Sequence, residues 1–443
     1  MKAITVFFIL FCLHTSSIAQ NDYGQILSMK ERATTINRLL EDKVKNYLPE
    51  IMRREGIDMW VVISREYNED PVIETLLPAE WLAARRRTIL VFYDSGEGNE
   101  LETLAVARYD VGSVFKSAWD KEEQPDQWAR LAEIIEERDP AKIGVNKSRY
   151  FGLADGIVAT DYKEFMESIG SFSKRVVSAE KVAIGWLETR TKAEMAIYPH
   201  IVKISHEIIK EAFSSKVITQ GVTTTEDVVW WMREKVRELR LQTWFHPTID
   251  IQRADPERFD HLRTFSKRPE PGVIMPGDLL HCDFGITYLR LNTDQQQHAY
   301  VLKPNEYDVP DYLKKAFDNG NRLQDIFTKN FKEGRTGNEV LRLSRESAIA
   351  EGITPSIYTH PIGYHGHAAG TTLGMWDSQG GVPVTGDYPL HLNTAYSIEL
   401  NASTYIEEWG KDVRIMLEEE AFFDESGVWY IDGRQESIRI VNK

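Results

Sequence analysis

Acidic residues stand on or beside apolar, strand-like runs along the C-terminal half of this chain, and that placement constrains the fold because the acids have to converge. Asp283, Asp294, one histidine of the segment His360 to His367, Glu399 and Glu418 follow one another in that order. Two divalent cations about 3.5–4 Å apart need such a set: carboxylates that reach both, a nitrogen donor, and a position left for water. Oxygen-rich surroundings favour harder ions such as Mn or Co over a closed structural zinc. In GDLLHCDFGITYLRLNTDQQQHAYVL, Leu279, Leu280, Phe284 and Ile286 read as a strand, and Tyr300 to Leu302 end a second one. The gap from Asp283 to Asp294 has room for a strand end, a turn and a returning partner, so both carboxylates can face one spot. The last acid lies in VRIMLEEEAFFDESG, where strand alternation puts Glu418 and Glu420 on one face and turns Glu419 away.

These residues carry a resemblance. The chain resembles the pita-bread metallopeptidases, the family of aminopeptidase P, prolidase, methionine aminopeptidase and creatinase. There a DxG strand supplies the first Asp, matched by CDFG with Asp283, and the second follows eleven residues on, matched by NTDQQQ with Asp294. A strand like AYSIELN places the fourth ligand at Glu399, and counting back from Gly427 places the fifth at Glu418, with Glu420 a weaker candidate on the same face. The histidine has two registers in THPIGYHGHAAGTTLGMWD. With His360 as ligand, His-Pro-Ile-Gly leads to His367 seven residues on. With His367 as ligand, His-Ala-Ala-Gly leads to Trp376-Asp377, with tryptophan where the family has a second histidine. The spacing to Glu399 favours His367, which makes His360 a pocket residue and leaves the cleavage specificity open at Trp376. A further family histidine falls at His261, behind FHPTI and a loop, IQRADPERFD, far more charged than the family's glycine-rich one.

Taken singly, each residue has an ordinary reading: Asp283 as a turn residue before Phe-Gly, Glu418 to Glu420 as a solvated charge run, His360, His365 and His367 as loop histidines. Only the ordered set is specific. The paired Trp230 and Trp231 in TTTEDVVWWMREKV, at helical spacing behind a threonine cap, read as core packing.

With 443 residues the chain exceeds the single-core size of about 250–300 and predicts two domains. Its 68 acidic and 53 basic residues give a net charge of -15, which argues against nucleic acid or an anionic membrane surface as partner. The N-terminus, MKAITVFFILFCLHTSSIAQ, pairs a basic Lys2 with a short apolar stretch and small residues, predicting a signal peptide over residues 1–19 cleaved after Ala19 and an exported protein, periplasmic or extracellular. Cys12 follows bulky Phe11, which weakens a lipoprotein reading. Cleavage leaves Cys282 alone, so no intrachain disulfide forms, and alternation turns its thiol away from Asp283 into the core. No other apolar run approaches the roughly 18 residues that span a bilayer.

A helical pattern from Ile26 to Arg54, a strand in DMWVVIS, a hairpin over TILVFYDSGEGNELETLAVARYD, a helix in PDQWARLAEIIEERD and a strand in KIGVN predict an α/β layer over residues 22–185. It resembles the N-terminal domain of creatinase, aminopeptidase P and prolidase, which methionine aminopeptidase lacks. A single helix from Lys192 to Phe213 is expected to open the catalytic domain, residues 186–443. The fold class is α+β: an N-terminal α/β creatinase-like domain and a C-terminal pita-bread domain.

The resemblance implies metal-assisted amide hydrolysis. Asp294 and Glu418 would bridge two divalent ions, Mn first with Co or Zn as alternatives; Asp283 would complete one site, His367 and Glu399 the other. A bridging hydroxide would attack the scissile carbonyl, formed from a water whose pKa the cations lower to about 7. His261 and His360 would steady the oxyanion or protonate the leaving nitrogen, and Glu399 would accept the water's proton. A peptide beginning Xaa-Pro, cut by an Xaa-Pro aminopeptidase, is the expected substrate, with prolidase action on the dipeptide as alternative and a homodimer as the family's usual assembly. A creatinase-like amidinohydrolase lacks this carboxylate set, and a non-catalytic binding module would have lost it.

Overall fold

The computed structural model describes residues 23–254 and 271–442, so the expected leader and His261 lie outside the described residues. Two large sheets organise the chain. The first is six-stranded: β1 (Met59–Arg65), β2 (Arg87–Tyr93), β3 (Glu102–Ala105), β4 (Lys116–Ser117), β5 (Ile143–Val145) and β6 (Val176–Ser178), in the order β4-β3-β2-β1-β5-β6. β1 runs antiparallel to β2 and parallel to β5. Its continuous apolar run serves two cores at once: Trp60 and Val62 face one, Met59, Val61 and Ile63 the other. β2 and β3 form the expected hairpin, with Gly96 and Gly98 of its turn at positive φ. The helix Gln127–Arg138, capped by Asp126, buries Leu131, Ile134 and Ile135 as its spacing predicts.

Two expected helices are interrupted, and proline explains both. The pattern from Ile26 to Arg54 forms Met29–Asn46 and Leu48–Glu55, the second restarting with Pro49 in its first turn. Lys192 to Phe213 forms Lys192–Met195 and then Tyr198–Ala212, with Pro199 in the first turn. A proline lacks the N–H of an interior helical position and clashes with the carbonyl four residues back, so the helix restarts around it. Trp230 also departs from expectation. In the helix Thr225–Glu238 the buried stripe is Val228, Val229, Met232 and Val236, which leaves Trp230 50 % exposed with its indole N–H on Glu226, while Trp231 packs on the core.

The second sheet contains β7 (Thr248–Gln252), β8 (Leu279–Phe284), β11 (Gln295–Val301), β12 (Thr354–Ile357), β13 (His360–Pro361), β14 (Thr394–Ile406), β15 (Lys411–Asp424), β16 (Gly427–Tyr430) and β17 (Arg439–Val441); β9 (Thr287–Tyr288) and β10 (Leu291–Asn292) form a ribbon beside it. Its central path is β12-β14-β15-β11-β8-β7, with β13 on β14, β16 on β15 and β17 on β11. Helices cover one face. Ile201 and Ile208 pack with Leu280, Cys282 and Phe284, while Leu313 and Phe317 of the helix Asp311–Lys329 pack with Ile398, Leu400, Ile415 and Leu417. Burying each such side chain is worth about 1.5–3 kcal/mol, which is what keeps the strands in this register. Residues between them, Asp283, Gln296, Glu399 and Glu418, are thereby turned to the opposite face. Cys282 is buried in the core, as alternation predicts.

Glu419 points away from Glu418 and shows what the outer face can hold. His206 Nε2 lies 2.7 Å from Glu419 Oε2 and Nδ1 2.9 Å from Asp432 Oδ2, while Gln297 and the Gln435 N–H donate to Glu419 Oε1. Burial works against charge on His206, but the Glu419 carboxylate and the bond to Asp432 prevail and raise its pKa to about 10. A histidine raised in the folded state stabilises fully below its unfolded value of about 6.5, and the contribution is lost as pH rises through about 10. Urea unfolding is therefore expected to show wild type more stable than His206→Leu at pH 6, with the difference shrinking steadily toward pH 10. A pH-independent difference would contradict the charged pair.

Candidate metal centre

Strand register assembles the site. Asp283 lies opposite Gln296, Gln296 opposite Glu418, and Glu418 opposite Glu399, so four side chains form one row across β8, β11, β15 and β14. In the next row on that face, Ser397 lies between Glu420 and His360. Asp294 immediately precedes β11, and its N–H donates to the Glu420 carboxylate, which also accepts from Gln295 Nε2 at 2.8 Å. Glu420, the weaker candidate, thus holds the backbone of Asp294.

Asp283, Asp294 and Glu418 offer oxygens within 4.8 Å of one another, and so do the donor atoms of His360, Glu399 and Glu418. His360 Nε2 lies 3.7 Å from Glu418 Oε1 and 3.9 Å from both Asp294 Oδ2 and Glu399 Oε2. Its Nδ1 is 3.0 Å from the Pro361 carbonyl oxygen, which can only accept, so Nδ1 carries the proton and Nε2 presents a lone pair to three acids. Burial, and then His367 beside it, push the His360 pKa down to about 3, in keeping with a neutral ring.

The acids repel one another. Burial first, then the charge of their neighbours, hold Asp294, Glu399 and Glu418 well above the usual carboxylate range. Burial pushes Asp283 up to about 6, with His281 pulling it back. Asp283 Oδ1, Asp294 Oδ1 and His360 Nε2 are buried without hydrogen-bond partners. Buried polar atoms are left unpartnered rarely, and lone pairs aimed at one another from five side chains fit divalent cations between them. The donor set, four carboxylates and one imidazole, is the oxygen-rich kind predicted from the sequence.

Of the two histidine registers, the structure brings His360 among the acids. His367 is exposed and stands on the outer side, its ring edge-on to His360 at 4.7 Å and to Trp244 at 5.2 Å; it still shares the 4.8 Å neighbourhood with Asp294 and His360. Trp376 is 44 % exposed. Sequence reasoning missed Gln296, Ser397, His281 and Trp244. The first had a signal, since alternation in the strand Gln295–Val301 places residue 296 level with Asp294.

Gly285, in the DFG turn, keeps the second acid in place. A Cβ there would collide with the Thr293 carbonyl, to which Trp244 Nε1 donates at 2.8 Å, and with the Trp244 indole. Gly285→Ala is expected to lower stability by about 1–3 kcal/mol and to weaken cation binding through displaced Asp294. Denaturant unfolding and metal titration check both; an alanine tolerated without loss would show the turn free to move.

The model of metallopeptidase family M24 matches residues 198–442. No curated protein matches the chain in sequence. Among solved structures, an X-Pro aminopeptidase from Thermotoga maritima MSB8 is similar at 18% identity and TM-score 0.62, covering 88% of this chain and 100% of its own. An Xaa-Pro dipeptidase from Bacillus anthracis is similar at 16% identity and TM-score 0.57, over 94% and 100%. A prolidase from Pyrococcus furiosus is similar at 16% identity and TM-score 0.55, over 87% and 99%. At these identities the likeness is one of fold, and it extends beyond the family match into the N-terminal sheet.

Proposed function

Because the chain belongs to metallopeptidase family M24 and is a metal-dependent peptidase, we propose that it is an Xaa-Pro aminopeptidase, holding two divalent cations, Mn by preference, and cutting the bond before proline at peptide N-termini. Asp294 and Glu418 would serve both cations, with Asp283 holding one and His360 with Glu399 the other. The observation that carries this reading is His360, a neutral ring whose unpartnered Nε2 faces Asp294, Glu399 and Glu418 at 3.7–3.9 Å. It favours His360 over His367 as ligand, the reverse of the preference from spacing.

When bound, the cations supply Lewis-acid polarisation of the scissile carbonyl and an acidified water. The chain's own groups do the rest. Glu399 accepts the proton of the attacking water. His367, exposed beside His360, hands that proton on to the proline nitrogen as it leaves, a role the family resemblance gives to His261 and His360.

Structural neighbours of both aminopeptidase and prolidase type support cleavage at proline, and the test must separate them. Elemental analysis of the purified protein should give two metals per chain, and Mn-supplemented enzyme should cut an Xaa-Pro-Yaa tripeptide faster than an Xaa-Pro dipeptide. Faster dipeptide cleavage would make it a prolidase; no metal and no cleavage would leave a binding module. The reading includes export, which the leader motif supports. N-terminal sequencing of mature protein beginning at Gln20 would sustain it, and an intact Met1 would sink it.

A further inference from the structure

Behind the acidic row runs a chain of buried polar side chains that the hydrolytic reading leaves unused. Gln296 sits between Asp283 and Glu418 in the row, and its Nε2 donates to Glu399 Oε1 at 2.5 Å and to Glu418 Oε2 at 2.7 Å. Carboxylates accept, so the amide orientation is determined: the NH₂ faces the acids and Oε1 turns to His281, whose Nε2 donates at 3.0 Å. His281 Nδ1 faces Asp250 Oδ2 at 3.3 Å. Strand pairing holds the chain, since Asp250 lies opposite His281 and His281 opposite His298. The His298 ring, 5.2 Å from that of His281, is pinned by the Leu280 carbonyl on Nδ1 and by the Met416 N–H on Nε2. Gln296, His281 and Asp250 are all buried.

We infer that Gln296 is a positioning residue for the metal centre, held by His281 and Asp250, and that it governs the cation site of His360, Glu399 and Glu418 more than the site of Asp283, Asp294 and Glu418. This rests on the ligand set proposed above. A carboxylate oxygen offers two lone-pair directions, and bonds from Gln296 occupy those on the protein side, leaving the others aimed into the cluster. The same bonds hold two mutually repelling glutamates in place before any cation arrives, which lowers the ordering cost of binding. Gln296 bonds Glu418, which enters both donor groups, and Glu399, which enters only one, so its loss falls more heavily on the site that contains Glu399.

The test is calorimetric titration of metal-stripped, full-length protein with Mn(II), with far-UV circular dichroism and thermal melts confirming the fold of each variant. Gln296→Met keeps length and removes the amide; Gln296→Thr, suited to a strand, serves if it fails to fold. Wild type is expected to bind two cations. Gln296→Met should weaken one of them about ten- to a hundredfold and leave the other within about threefold, as loss of a ligand's hydrogen-bond partner does. His281→Leu should weaken the same cation less, and the double variant should be no worse than Gln296→Met alone, because His281 acts through the amide. If wild type binds no cation, the peptidase reading fails. If wild type binds two and Gln296→Met matches it, or weakens both equally, or its effect adds to that of His281→Leu, the positioning role is overturned and the peptidase reading stands.

Discussion

Glu418→Gln is expected to abolish cation binding and Xaa-Pro cleavage while raising the melting temperature of the metal-free protein. Glu418 is the acid that enters both donor groups, within 4.8 Å of the Asp283 and Asp294 oxygens and of the His360 and Glu399 donors. Losing it removes several kcal/mol of transition-state stabilisation, about a thousandfold or more in rate at 1.36 kcal/mol per decade. Without metal the sign reverses. Glu418 is buried, it raises the pKa values of Asp294 and Glu399, and glutamine of the same shape relieves that repulsion. Each kcal/mol relieved should raise the melting temperature of a chain this large by about 2–4 °C or less. Melts with EDTA and with Mn(II) read both effects together: the wild type should gain strongly from Mn(II), the variant not at all. A variant less stable than wild type in EDTA would mean that the bonds from Ser397 and Gln296, at 2.5 and 2.7 Å, already neutralise the repulsion.

His360→Ala and His367→Ala are expected to fail in different ways. His360 Nε2 faces three acids, so its loss should remove a cation and with it roughly a thousandfold of activity. His367 stands outside that ring, so His367→Ala should keep both cations and lower kcat by about 10²–10⁴, the usual worth of a positioned proton donor, with KM little changed. Metal content and steady-state kinetics of the two variants decide the register. Two cations retained in His360→Ala and lost in His367→Ala would restore the assignment that spacing favours.

The outcome for the histidines marks where reading a chain in one dimension stops. Asp283, Glu399 and Glu418 lie in strands whose alternation is written in their apolar neighbours, so their common face is visible before folding. His360 and His367 lie where regular alternation ends, in a segment with only the two-residue strand His360–Pro361, and two spacings satisfy the same motif. The pairing of His360 with Ser397 brings that histidine among the acids, and that is a contact across the sheet. Trp230 is a smaller case: with Val228, Val229, Met232 and Val236 forming the buried stripe of its helix, the 3.6-residue period carries it to the exposed side.

Gln296 shows the same limit at the site itself. A run of three glutamines carries no motif, and its meaning comes from β11 lying between β8 and β15, which sets residue 296 between Asp283 and Glu418. Local sequence was enough for the donor types, the strands that carry them and the faces those strands present, because each follows from bonded geometry and local burial over a few residues. It took the fold to set His360 Nε2 within 3.9 Å of three acids, to place an amide against two of them and to let the carboxylates raise one another's pKa values. Those depend on distances of a few ångströms between residues in some cases more than 100 positions apart, and only the registered sheet brings them together.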